Sequence, residues 1–270
     1  MKHKKTVLIT GTSSGMGRAT AVYLAEQGYV VYAGTRTPDK LFDIQSKNIR
    51  PIHLDITDSQ NIEEALLYIP KIDILINNAG YGLVSTVEDV AEEEMFHQFD
   101  VNVFGVLRLC KAVIPKMRHQ NDGVIINISS FLGKIGLPLL TFYNASKYAV
   151  EGITDSLRYE LKDFNIRVHS IMPGFFDTNF AKDNLVMNTK TFEEDSTYAK
   201  LVSTLAPMIV EQINSGNDAS EVAQMILEII EKEDSPARQT AGDKAKKFIP
   251  MKKELSDEDF ERRVRAYYHL

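Results

Sequence analysis

The chain is poor in the features that announce several common protein classes. It carries one cysteine, Cys110, so no intrachain disulfide can form, and no Cys/His cluster has zinc-ligand spacing. Cys110 sits in an apolar helical pattern and reads as an inert core thiol. No apolar run approaches the length of a membrane span. The basic N-terminus is followed by only a short apolar stretch, Val7 to Ile9, before polar residues and glycine intrude, which is too short for a secretory signal. The only dense basic run is Lys2 to Lys5, and the net charge is -6. A nucleic-acid surface is therefore not expected, nor strong attraction to anionic membranes. These absences together predict a cytoplasmic protein without a membrane span.

What is present is an ordinary globular composition, 44% hydrophobic and 25% charged over 270 residues. That length suits one large domain with a sizeable core. Short apolar runs alternate with helical patterns to about residue 172. Thr6–Thr10 precedes a helical run from Met16 to Gln27. Val30–Ala33, Ile52–Leu54, Ile72–Ile76, Val124–Ile128 and Ile166–Ile171 continue the strands. Continuous β-rich runs separated by helices predict a doubly wound α/β fold, a parallel sheet with helices on both faces. Its ligand crevice lies beyond the carboxyl ends of the strands. About residues 179 to 217 break the rhythm and read as a lid. Glu221 to Lys232 reads as a helix, Arg238–Ala241 as a short last strand, and about residues 244 to 270 as a charged extension.

After the first strand comes Thr10-Gly11-Thr12-Ser13-Ser14-Gly15-Met16-Gly17, which opens a helix. Glycines allow a tight turn and close approach to a pyrophosphate, and the helix N-terminus adds free N–H donors and a favourable dipole. By chance such a pattern should occur only about 0.003 times in this chain, although a ligand-free turn is the other reading. The second strand ends at Gly34-Thr35-Arg36. An NAD site places an acid here for the ribose hydroxyl, whereas a guanidinium binds the 2′-phosphate of NADP. The pattern favours NADP(H) over NAD(H), the alternative being that Arg36 is a solvated loop charge.

Tyr143-Asn144-Ala145-Ser146-Lys147 puts a phenol and an ammonium four residues apart, on one helix face. Tyrosine titrates near ~10, so acid–base work at neutral pH needs a neighbouring positive charge. Opposite charges about 4 Å apart interact by roughly 4 kcal/mol at an effective dielectric near 20. The lysine, with the positive charge of an oxidised nicotinamide, is expected to lower the tyrosine pKa by a few units. The pair alone is weak evidence, because Tyr-x-x-x-Lys arises about once by chance and an exposed helix pair reads equally well. Its context is more specific. Ser129-Ser130 closes the strand Val124–Ile128, where a Ser130 hydroxyl can meet the substrate oxygen that Tyr143 protonates. Asn77-Asn78-Ala79-Gly80 follows the strand Ile72–Ile76 at the same sheet edge, as a site or as a plain turn.

Taken together these residues resemble the short-chain dehydrogenase/reductase family in its compact form, over about residues 5 to 245. Five features agree in order: Thr10–Gly17, Asp55 after a strand, Asn77–Gly80, Ser130 with Tyr143 and Lys147, and Pro173-Gly174. The resemblance implies a Rossmann fold with a central parallel sheet of about seven strands, in one dinucleotide-binding oxidoreductase domain over 1–270. It implies that Tyr143 is the general acid/base, that Lys147 binds the nicotinamide ribose and acidifies Tyr143, and that Ser130 positions the carbonyl. Asn102 matches the asparagine that holds a water in the proton relay, or is a structural helix asparagine. Gly11, Ser13, Ser14, Gly15, Met16 and Gly17 take the pyrophosphate side of the cofactor. Asp55 and Ile56 lie beside the adenine, with Asn78, Ala79 and Gly80 along the adenosine side. Pro173, Gly174, Phe176 and Thr178 match the loop that orients the carboxamide.

The expected reaction is hydride transfer between a nicotinamide and a carbonyl or secondary alcohol, with no metal. The alternatives are a non-catalytic dinucleotide-sensing protein and an isomerase or dehydratase on the same scaffold. Phe131, Leu132, Leu137, Leu139, Leu140 and Phe142 flank the tetrad, and Phe175, Phe176 and Phe180 lead into the lid. They predict a small lipophilic substrate, such as a steroid, retinoid or acyl chain, unless they merely pack the core. Ser235-Pro236-Ala237-Arg238 with Gly242-Asp243 resembles, more weakly, the C-terminal part of steroid- and retinol-dehydrogenase-like members. Family members pair through helices here represented by about Gln98–Lys116 and Tyr143–Lys162, which implies a homodimer or homotetramer.

Overall fold

The short apolar runs form strands that are buried on both sides at the centre of the sheet and less so at its two edges. In the computed structural model, which describes residues 5–270, seven of them pair into one parallel sheet. They are β1 (Thr6–Thr10), β2 (Val30–Thr35), β3 (Ile49–His53), β4 (Ile74–Asn77), β5 (Gly123–Ile128), β6 (Ile166–Pro173) and β7 (Arg238–Ala241). Their order is β7-β6-β5-β4-β1-β2-β3, all parallel. Lys2 to Lys4 of the basic run lie outside the described residues.

Period-two alternation distributes each strand between two cores. Val7 and Ile9 of β1, and Ile74 and Ile76 of β4, face the layer built by α1 (Gly15–Glu26) and by a helix over Ser220–Glu231. Leu8 and Leu75 face the opposite layer. That layer holds α2 (Ser59–Leu67), α3 (Glu92–Phe99), α4 (Gly105–Gln120) and α5 (Thr141–Glu160). The sheet grows outward in both directions from β1 and β4, so the connections diverge there and leave a crevice beyond their carboxyl ends.

Two elements depart from the expected pattern. The single helix expected over Gln98–Lys116 is split: α3 and α4 are joined by one wide π-helical turn, Asp100–Phe104. Such turns leave the i→i−4 ladder locally out of step and occur often at functional sites. The lid region and charged extension are also more regular than their composition suggests. After a strand Leu185–Met187, which pairs with Gly82–Val84, comes α6 (Ala199–Asn214). The helix over Ser220–Glu231 is α7, and the extension forms α8 (Gly242–Glu254) and α9 (Asp257–Tyr268).

The charges of α9 lie on its outer face, while Phe260, Val264 and Tyr268 recur every four residues as an inward stripe. Ser256 starts the helix by accepting the Asp259 amide. Tyr268 is 0% exposed. With Phe248 and the α6 residues Leu205, Ile209 and Ile213, these side chains close a third core over Phe131, Leu132 and Leu140. Among the described residues, no helix is long and apolar enough to cross a membrane.

Candidate active site

The loop after β1 is shaped by close contacts. Gly11 has a φ of +70°, and a Cβ there would stand 2.8 Å from the Ala79 Cα. A Cβ on Gly17 would stand 2.3 Å from the Gly11 carbonyl oxygen. Asn78 stitches the carboxyl ends of β4 and β1 together: its Nδ2 donates to the Thr10 and Gly11 carbonyls at 2.9 and 3.2 Å. The Asn78 and Ala79 amides donate to the Thr10 hydroxyl at 3.1 and 3.0 Å. Ser14 caps α1 with backbone only, and no acidic side chain occupies the first turn. The dipole at that end is therefore open to an anion.

A cleft of about 480 Å³ runs along this edge, with Gly11, Ser13, Ser14, Gly15, Met16 and Gly17 on its wall. Arg36, Asp55 and Ile56 line it beyond β2 and β3; Asn78, Ala79 and Gly80 line it beyond β4. Tyr143 and Lys147 lie beside the β5 exit, and Thr178 lines the cleft against Gly15. From β2 to β5 the cleft crosses three strand spacings, about 15 Å. These features fit an elongated dinucleotide: glycines with no Cβ to obstruct it, an uncapped helix N-terminus for its phosphates and a guanidinium beyond β2. Burial raises the Asp55 carboxyl, but the Thr57 hydroxyl and amide, with Arg36 and His53, outweigh it and hold it below its usual range.

The four residues expected to act together do converge. Ser130 follows β5, and its Oγ accepts the Leu132 amide at 3.1 Å. Tyr143 and Lys147 occupy successive turns of α5, with the Lys147 Nζ 5.7 Å from the centre of the tyrosine ring. Lys147 donates to the Ile128 carbonyl at 2.9 Å. The π-helical turn carries Asn102, whose Nδ2 donates to the Tyr81 carbonyl at 2.9 Å and to the Ser146 hydroxyl at 3.1 Å. Its Oδ1 accepts the Tyr81 amide at 3.1 Å. Gly80 lies between: a Cβ there would meet Asn102 Oδ1 at 3.1 Å and Lys147 Nζ at 3.7 Å.

Tyr143 is not acidified in the protein alone: burial pushes its phenol up to about 12, against a hydrogen bond from Ser130 that pulls it down. Lys147 is itself shifted down to about 8 by burial, which the nearby Glu151 carboxylate opposes. Desolvation dominates both groups in the protein alone.

On the other side of Tyr143 lies a narrow apolar pocket of about 70 Å³. Ser130, Leu132, Leu140, Phe175, Phe180 and Ile209 contribute to its wall, as do Pro173, Gly174 and Phe176 of the expected carboxamide loop, and no lining residue is charged. Phe131 also lines it. Leu137 and Leu139 instead pack in the third core. A broader groove of about 770 Å³ runs along the outer face of α6, and no tetrad residue lines it.

The sequence model of short chain dehydrogenases matches residues 5–188. The chain belongs to this family. Among relatives of this short-chain dehydrogenase, a 3-ketodihydrosphingosine reductase of Bacteroides thetaiotaomicron is 35% identical, with 98% of each chain covered. Retinol dehydrogenase 8 of Bos taurus is 32% identical over 92% of this chain and 85% of its own. A solved short-chain dehydrogenase from Streptomyces avermitilis superposes with a TM-score of 0.84 at 30% identity, covering 100% of this chain and 97% of the other. One from Burkholderia cenocepacia, in complex with NADP, gives 0.75 at 25% identity over 98% and 97%. The chain is thus an oxidoreductase acting on CH–OH groups, with a nicotinamide cofactor.

Several residues that shape this dehydrogenase site escaped the sequence reading. Gln98 is fully buried; its Oε1 accepts the Leu83 amide at 2.8 Å and its Nε2 donates to the Tyr81 carbonyl at 2.9 Å. With Asn102 it clasps the segment that follows Gly80. The Tyr81 and His97 rings pack at a tilt, 5.3 Å apart, and both residues line the cleft. Only the Gln98/Asn102 spacing, four residues apart among apolar neighbours, carried a hint of this.

Proposed function

We propose that this protein is an NADP(H)-dependent reductase or dehydrogenase of a lipophilic ketone or secondary alcohol, with Asn102, Ser130, Tyr143 and Lys147 as its catalytic tetrad. The observation that carries the reading is the position of Tyr143, whose side chain lines both the dinucleotide cleft and the uncharged apolar pocket. When bound, the nicotinamide supplies or accepts the hydride. Tyr143 holds the proton that the substrate oxygen needs, and Ser130 orients that oxygen by hydrogen bonding. Lys147 holds the ribose as an ammonium and offsets the desolvation that keeps the phenol protonated. Asn102 fixes the Tyr81 backbone beside Lys147. The glycine loop takes the pyrophosphate, Asp55 and Ile56 the adenine, and Arg36 the 2′-phosphate.

The substrate class is supported by two separate lines: the aliphatic and phenyl walls of the pocket, and full-length relatives named for a ketosphingoid base and a retinol. In the same reading the chain forms one oxidoreductase domain whose segment 179–217 covers the substrate. Homo-oligomer pairing through α4 and α5 is supported by Leu107, Tyr148 and Tyr159, which leave large apolar surfaces exposed there, next to Phe104.

The test is NADPH oxidation across long-chain, steroid and retinoid carbonyls, beside sugars and short ketones. Tyr143→Phe should bind NADPH nearly normally and lose at least about 100-fold in turnover, the range expected for a general acid. Near-normal turnover by that variant would reject the assignment.

A further inference from the structure

We propose that Glu151 is a positioning residue for this site: its buried carboxylate braces α5 against the Ser130 turn and the edge strand β7, and keeps Lys147 in its ammonium form. The proposal rests on the reading of Tyr143 and Lys147 as the proton-handling pair.

Glu151 lies one helical turn beyond Lys147, on the same face of α5. Its side chain is 3% exposed, although an isolated buried carboxylate is strongly disfavoured. Two cations from different elements compensate it. Arg238, the first residue of β7, places Nε 2.5 Å from Oε2. Lys134, which follows the turn begun by Ser130, places Nζ 3.5 Å from the same oxygen. Gly133 allows that turn to lie against the helix: a Cβ there would stand 2.9 Å from both the Lys147 carbonyl and the Ser129 hydroxyl, and 3.2 Å from Glu151 Cγ. One carboxylate therefore joins the elements that carry Ser130 and Lys147.

The charges around it are uneven. Arg238 also pairs with Asp155 at 2.5 Å, so the cluster holds Lys134, Lys147 and Arg238 against Glu151 and Asp155. Glu151 Oε1 is buried and has no hydrogen-bond partner among the described residues. Its charge is also the one that opposes the burial-driven fall of Lys147, one helical turn away. Without Glu151 three cations would face one acid, around an ammonium that burial already holds down at about 8. A further fall would leave Lys147 largely neutral at physiological pH. A purely structural brace would have no such effect on the lysine.

The decisive measurement is the titration of Lys147 in the full-length, cofactor-free protein, by NMR of 13Cε-labelled lysine with Lys147→Met assigning the signal. Glu151→Gln is expected to lower the midpoint by about one pH unit, the lower end of what a neighbouring opposite charge produces. Lys134→Gln removes a cation from the same carboxylate at a partly exposed position and is expected to raise it. The alkaline limb of kcat/KM should move in the same two directions, and Glu151→Asp should recover most of the first shift. An unchanged Lys147 midpoint in both variants overturns the proposal, even if their stability falls. If Glu151→Gln does not fold, Lys134→Gln decides it by the same criterion. Full turnover by Tyr143→Phe would instead sink the underlying assignment and leave the NMR titration standing.

Discussion

Tyr143 and Lys147 are each destabilised as ions by burial, in opposite directions: the phenol is pushed up to about 12 and the ammonium down to about 8. The lysine is brought within reach of neutral pH and the phenol is carried away from it, so the pair depends on the charges around it. The same logic applies at the cleft's other end. Arg36 faces the cleft beyond β2, where Thr35 stands at the position an NAD-type acid would occupy. Arg36→Asp should exchange attraction for repulsion of a 2′-phosphate and shift the NADP/NAD preference in kcat/KM by at least about tenfold, the equivalent of 1.4 kcal/mol. Unchanged selectivity would remove Arg36 from the argument. Cys110 is inert by the same physics, since burial pushes its thiol up to about 12.

Among the elements, α9 carries the largest unexpected load. Phe260, Val264 and Tyr268 are all buried, and Phe248 stacks on Tyr268 at 6.4 Å. Phe248 in turn lies 6.4 Å from Phe131, which meets Phe175 edge-on at 5.2 Å. Phe131 and Phe175 are walls of the apolar pocket, so the C-terminal helix supports that pocket through packed rings. Each large apolar side chain buried contributes about 2 kcal/mol. A chain ending at Ser256 should thus lose roughly 5 kcal/mol, a large part of a typical domain's stability. Its urea midpoint should fall sharply; a midpoint equal to that of the full chain would refute the buttress.

At the scale of the whole molecule, pH acts on stability through His169 in β6. Burial holds its imidazole below the ordinary range, with Arg167 and Arg158 adding to the effect against the Pro236 hydrogen bond. Its Nδ1 lies 2.9 Å from the Pro236 carbonyl, to which the neutral ring donates. The unfolded chain therefore binds a proton more readily than the folded one. Stability from this group is complete above about pH 6.5 and declines as pH falls from there toward the lower folded-state value. His169→Gln should flatten the decline in Tm between about pH 6.5 and 5; an unaltered slope would exclude this histidine. Pairing through α4 and α5 is tested by Leu107→Glu with Tyr159→Glu, which should shift the sedimentation mass from a multiple of the chain mass to one chain. A wild type already sedimenting as one chain would reject that interface.

The sequence alone determined the doubly wound sheet, because runs such as Val7–Ile9 and Ile74–Ile76 are apolar at every position and can only be buried on both faces. It also determined the glycine loop and the Ser130, Tyr143 and Lys147 set, whose chemistry depends on residue type at short spacing. Tertiary structure decided what depends on partners distant in the chain. Gln98 and Asn102 act on the segment after Gly80, Glu151 meets Arg238 across 87 residues, and the stripe of α9 finds its core only when α6 and α8 are in place. The pKa values belong to this second class. Spacing brings Lys147 beside Tyr143, but desolvation depends on everything else that surrounds them.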